Sequence, residues 1–116
     1  MKKLTKVEEE IMQFIWEIGP CTVSQVIDKI PKKKPPHSTI SSIVRILEKK
    51  GFVKHNSYGR TYEYFAVVEK KDYTKRNISN IIQDYFDGSA EKLVSFLVKE
   101  NEIGLNELAE LLDEQE

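Results

Sequence analysis

One cysteine, Cys21, is all the thiol this chain has, so no internal disulfide can form and a reducing compartment suits it. No run of about 18 apolar residues occurs, and no charged-then-apolar leader with a small-residue cleavage site opens the sequence. Neither a membrane partner nor export is therefore expected, and the reading is a cytoplasmic protein. HExxH, a phosphate-cradling P-loop, GxSxG and Cys-x-x-Cys are all missing, so no acid, base, nucleophile or metal set assembles and no enzyme is expected. His37 and His55 are the only histidines, and their spacing from Cys21 matches no zinc pattern. Neither metal nor other cofactor is expected. Repeats and low-complexity tracts are also absent, which leaves 116 residues as one or two small units.

What is present is charge, unevenly placed. Residues 1–70 hold 13 Lys/Arg against 8 Asp/Glu, a balance of +5, whereas residues 71–116 hold 5 against 11, a balance of −6. Between Lys29 and Arg60 the bias is sharper, with nine cations facing the single acid Glu48. That is the footprint of a surface that meets a polyanion.

The footprint brackets the stretch 37–51, HSTISSIVRILEKKG. At 3.6 residues per turn Ile40, Ile43, Val44 and Leu47 fall on one side, with Ser38, Ser42, Arg45 and Lys49 opposite and Thr39 and Ser41 between. Solvated helix faces favour Glu, Lys, Gln and Ala, but this one carries short hydroxyls near its start and cations beyond them. Short side chains permit close approach, and the expected target is the DNA major groove.

Two helices should precede it. Thr5 with Glu8 forms a capping box ahead of Val7, Ile11, Phe14, Ile15 and Ile18, until Gly19-Pro20 ends the run; Trp16 lies off the stripe and suits packing. Thr22 with Gln25 forms a second box ahead of Val23, Val26, Ile27 and Ile30, ended by Pro31. PKKKPP over 31–36 is then an extended basic connector, with Lys33 and Lys34 as candidate phosphate contacts. His37 is expected to cap the third helix or to meet a phosphate. After Gly51 the period falls from 3.6 to 2: a strand runs from Phe52 through His55, Ser57 to Arg60 supply a turn, and Thr61–Val67 returns. Three helices followed by a hairpin is the winged-helix arrangement, with Lys54 and Arg60 as candidate phosphate contacts on the wing and His55 beside them.

From Lys70 onward the pattern is helical. Tyr73, Ile78, Ile81, Ile82, Tyr85 and Phe86 mark one run, Leu93, Val94, Phe96, Leu97 and Val98 a second, and Leu105, Leu108, Leu111 and Leu112 a third. Three short amphipathic helices bury little alone, so self-association through Tyr73, Ile78, Ile82, Tyr85, Phe86, Leu93, Phe96, Leu97, Leu105, Leu108 and Leu112 is expected. The fold class is thus mainly α with a small β-hairpin (α+β): a winged helix-turn-helix domain over 1–69 and a helical dimerisation region over 70–116. The competing reading is a winged-helix protein-interaction module without DNA binding, which should show an exposed apolar patch rather than a balance of +8 across residues 29–60.

With these elements in place, EEEIMQFIW in the first helix, STISSIVRILEKKGFV through the third helix into the wing, TYEYF in the returning strand and KLVSFLVKE near the end resemble the penicillinase-repressor and methicillin-resistance-repressor family of bacterial regulators. The resemblance spans nearly the whole chain. It implies a homodimeric repressor whose N-terminal domains bind a two-fold-symmetric operator in double-stranded DNA and whose helical C-terminal parts form the dimer. It supports Thr39 as a base or phosphate contact and Arg45 as an anion contact, because members typically have Thr and Arg there. Ser41 and Ser42 depart from the family pattern, so the operator sequence does not transfer. One branch of the family is controlled through cleavage of an Asn-Phe bond, which brings in a regulatory protease as a partner, but the equivalent place here is Phe96-Leu97. Another branch senses copper through paired C-terminal cysteines, and none follows Cys21.

Overall fold

A computed structural model describes residues 1–100, 104, 106, 109 and 110. The chain divides into two compact units, Met1–Tyr73 and Thr74–Glu116. The division falls inside a helix, four residues beyond the boundary expected from composition.

In the first unit, α1 covers Lys6–Ile18, α2 Val23–Lys29 and α3 His37–Lys49. Both capping boxes form: Thr5 accepts from the Glu8 amide while Glu8 accepts from the Thr5 amide, and Thr22 and Gln25 repeat the exchange. Each such cap stabilises its helix start by about 1 kcal/mol. Ile11, Met12 and Ile15 are the buried face of α1. Val7, expected on that stripe, is 53% exposed, and Met12 takes the inward position instead because the face that meets α3 is rotated from the one periodicity suggests.

α3 ends in a Schellman motif. The Phe52 amide donates to the Leu47 carbonyl at 2.9 Å and the Gly51 amide to the Glu48 carbonyl at 3.0 Å. Gly51 takes φ +85°, which only glycine adopts without strain. Leu47 and Phe52, the hydrophobic pair of that motif, are both fully buried. This stop aims the chain directly into the hairpin.

β1 (Val53–Tyr58) and β2 (Thr61–Ala66) pair antiparallel from Val53 with Ala66 to Tyr58 with Thr61. β1 therefore reaches three residues beyond His55, β2 stops one residue short of Val67, and the turn shrinks to Gly59-Arg60. Only Gly59 of the two has positive φ, +64°, as a type II′ turn requires. On the other edge of β2, Cys21 and Tyr64 exchange backbone hydrogen bonds of 2.8 and 2.7 Å. This single bridge ties the wing to the turn between α1 and α2.

The core is Leu4, Ile11, Met12, Ile15, Cys21, Val23, Val26, Ile40, Val44, Leu47, Phe52, Val53, Tyr64 and Tyr73. Tyr73, expected in the dimer segment, belongs here: it is 8% exposed, its hydroxyl donates to Glu9 at 2.6 Å, and its ring lies 5.5 Å from that of Trp16 and 5.7 Å from that of Phe52. The Tyr73 side chain is thereby committed to the N-terminal core, unlike the exposed apolar residues further along its helix. Trp16 donates from Nε1 to the Val68 carbonyl at 2.9 Å, which accounts for its indole by packing alone. Near the other end of the unit, Lys50 Nζ joins Glu8 Oε1 at 2.5 Å and the Lys3 carbonyl at 3.0 Å, so the end of α3 is fastened to the start of α1.

In the second unit, α4, which begins at Lys70, continues to Tyr85, and α5 covers Ala90–Glu100. Ser89 caps α5 by accepting from the Lys92 amide, and Phe86 meets Phe96 with ring centroids 5.5 Å apart. No residue of α5 is buried. Ile78, Ile81, Tyr85, Val94 and Phe96 are exposed, Tyr85 by 77% and Phe96 by 47%; Ile82, Phe86, Leu93 and Leu97 are half-buried. Leu105, Leu108, Leu111 and Leu112 lie outside the described residues.

Candidate nucleic-acid interface

α3 presents two rows of polar side chains that meet at Arg45. Ser38, Ser42 and Lys49 lie on one row with Thr39 beside it, all exposed. His37 and Ser41 lie on the other, and with Arg45 they line a cleft of about 420 Å3 completed by Thr22, Val23 and Ser24 from the start of α2 and by Arg60, Thr61, Tyr62 and Tyr64 from the wing. Two guanidinium groups from different elements thus open onto one concavity. No ion pair holds either Arg45 or Arg60 among the described residues.

The floor of the cleft is Tyr64, 3% exposed. Burial pushes its phenol above the ordinary range, the Glu48 carboxylate adds to that, and the Arg45 guanidinium opposes it. Tyr64 is held in turn by the Cys21 bridge, so the wing, α2 and α3 share one support.

Several expected contacts are placed differently from one another. Lys33, Lys54, Lys49 and Arg60 stand exposed in solvent. Lys34 turns inward along the chain: its Nζ donates to the carbonyls of Ile27, Asp28 and Ile30 at 3.0, 3.2 and 2.9 Å, and so satisfies the last carbonyls of α2. His37 does not cap α3. The N-cap is Pro36, no side chain caps the helix, and His37 is its first helical residue, exposed at the mouth of the cleft. Ser42 donates its hydroxyl to the Ser38 carbonyl at 2.9 Å, which leaves its oxygen lone pairs for an incoming donor.

Seven cleft or border residues are not singled out as site residues by the sequence pattern: Thr22, Val23, Ser24, Thr61, Tyr62, Tyr64 and Glu48. Glu48 carries one signal, as the single acid of a basic stretch. The others come from non-local pairing that no local pattern reports.

A helix-turn-helix pair braced by a two-stranded hairpin, with an exposed hydroxyl-and-cation face on its second helix, defines the winged-helix regulators. The chain belongs to the penicillinase repressor family, whose profile matches residues 4–115. It is 26% identical over 110 residues to the methicillin resistance regulatory protein MecI of Staphylococcus aureus (strain N315), covering 94% of this chain and 89% of that protein. It is 24% identical over 121 residues to the penicillinase repressor of Bacillus licheniformis, covering 98% and 94%. Among solved structures, a MarR family protein from Bacillus stearothermophilus shares the fold with a TM-score of 0.50 at 19% identity, covering 98% of this chain and 76% of that one. The α+β winged-helix class is therefore established, and the family is one of transcriptional repressors, not of enzymes. Among the described residues no helix is long and apolar enough to cross a membrane.

Proposed function

We propose that this chain is a cytoplasmic, homodimeric transcriptional repressor that binds an inverted-repeat operator in double-stranded DNA. The observation that carries the reading is the junction of the α3 polar face with the wing, where Arg45 and Arg60 open onto one cleft inside a basic footprint of nine cations and one acid. α3 enters the major groove with Ser38, Thr39, Ser41 and Ser42 toward the bases, while Lys33, Lys49, Lys54 and Arg60 neutralise phosphates on either side. The exposed apolar residues of α4 and α5 supply the self-association that places two such surfaces on one duplex. Half-sites then lie about 34–36 Å, or a multiple of that, apart.

Ile46, Tyr58 and Tyr62 are exposed large residues close to the footprint, which is the observation favouring a protein-interaction module. They are interleaved with cations rather than gathered into an apolar patch, and tyrosine hydroxyls also serve phosphates.

The experiment is fragment selection from the parent genome followed by binding titrations with variants. Arg45→Ala and Thr39→Ala should weaken binding to the selected operator, Arg45→Ala by about 1–3 kcal/mol and with relaxed specificity if it reaches a base. Lys33→Ala should weaken all duplexes alike and reduce the salt slope by about one. Unchanged operator affinity in both Arg45→Ala and Thr39→Ala would show that α3 is not the reading element.

A further inference from the structure

The one acid of the footprint, Glu48, stands on α3 itself, one turn beyond Arg45. A bare carboxylate there would repel the phosphates that its neighbours attract. Glu48 is not bare. Its Oε2 lies 2.7 Å from Nδ1 of His55 on β1, and the two side chains are similarly shielded, with 31% and 28% of their surface exposed. A carboxylate oxygen accepts, so the imidazole tautomer that suits this contact carries its hydrogen on Nδ1 and donates it.

The imidazole is itself held in place. It stacks on Tyr62 with centroids 4.3 Å apart and planes 18° from parallel, and it leans on Tyr64 at 5.4 Å. Tyr62 and Tyr64 both line the cleft that also contains Arg45 and Arg60. A continuous set of contacts therefore runs from the last turn of α3 through His55 to the inner face of the wing. Nothing in the backbone requires this pair, because the Schellman stop of α3 and the hairpin register are complete without it.

We propose that His55 is a positioning residue of the DNA interface: it draws the Glu48 carboxylate back from the phosphate path and pins β1 to the end of α3. The inference rests on the DNA-binding reading given above. It makes the value of His55 for DNA affinity conditional on Glu48, which a phosphate-contacting histidine would not show, and it requires the affinity loss without an equal coupling in the melting temperature, which a purely structural pair would show.

The test is a four-protein cycle on the full chain: wild type, His55→Ala, Glu48→Gln and the double variant. Each is titrated against a mixed-sequence duplex of about 30 base pairs at low salt, with thermal melting measured in parallel. His55→Ala should weaken binding roughly fivefold to tenfold while Glu48 is present, because it frees a carboxylate beside phosphates. In the Glu48→Gln background the same change should cost less than about twofold, so the double variant regains affinity. An equal loss in both backgrounds overturns the proposal and marks His55 as a direct phosphate contact or a packing residue. If His55→Ala does not fold, His55→Asn replaces it. Its amide nitrogen stands where Nδ1 stood and still donates to Glu48, so binding within about twofold of wild type is expected, and a loss beyond fivefold overturns the proposal. Failure of the wild type itself to bind the duplex would instead remove the DNA-binding reading.

Discussion

The two units spend similar kinds of residue in opposite ways. In the first, Met12, Ile15, Leu47 and Phe52 are fully buried, and even the acid Glu8 is enclosed and paired. In the second, α5 has leucines, valines and a phenylalanine at helical spacing and buries none of them. The first unit closes its core within its own 73 residues. The second exposes apolar surface of the kind that marks an interface, and the proposed self-association rests on it.

Three measurements test that contrast, beginning with the largest effect on folding. Phe52→Ala removes a fully buried ring that packs against both Leu47 and Tyr73, and should destabilise the N-terminal unit by about 3–5 kcal/mol in denaturant titrations. A loss below about 1 kcal/mol would mean that this core is far looser than its burial indicates.

Lys50→Met comes next, with an expected loss of about 1–3 kcal/mol, because the enclosed Glu8 carboxylate loses its charged partner. The pair also sets a pH dependence. The hydrogen bond from Lys50, assisted by the Thr5 amide and opposed by burial, holds the Glu8 carboxyl below its ordinary value of 4.5. The unfolded chain therefore takes up this proton at higher pH than the folded one. The stabilisation is complete above the ordinary value and is lost as pH falls through the lower folded value. Melting curves across that acidic window should show the loss in wild type and much less of it in Lys50→Met.

Phe96→Asp should have the smallest effect on the first unit, within about 0.5 kcal/mol by the emission of Trp16, the only tryptophan. It should nevertheless lower the mass found by light scattering from twice 13.5 kDa to 13.5 kDa. A wild-type mass of 13.5 kDa at micromolar concentration would remove the contrast altogether.

Features that depend on near neighbours are legible in the amino-acid sequence. Both capping boxes, the proline-rich connector and the change of period at Gly51 come from residues within a few positions of one another, and each appears in place. β1 outruns its sequence signal because Ser57 and Tyr58 look like part of a turn; in the fold they pair with Tyr62 and Thr61. Tyr73 fits a long amphipathic run, and periodicity does not reveal that its helix starts in one unit and ends in another. The cleft is half legible. Its α3 residues follow from a helical wheel, but Tyr64 at its floor, the His55 bond to Glu48 and the anchoring of Lys50 to Glu8 all join residues distant in sequence, and Lys34 looks like any other cation of the connector.

Cys21, enclosed at the bridge to the wing, has a practical outcome for studying assembly. Burial, reinforced by the Glu63 carboxylate, pushes its thiol up to about 11, so near neutral pH it is a poor nucleophile, and none of its surface is exposed. Any pairing of native molecules seen without reductant is consequently non-covalent. Alkylation of this sulfur becomes a clock for how often the wing lets go of the rest of its unit.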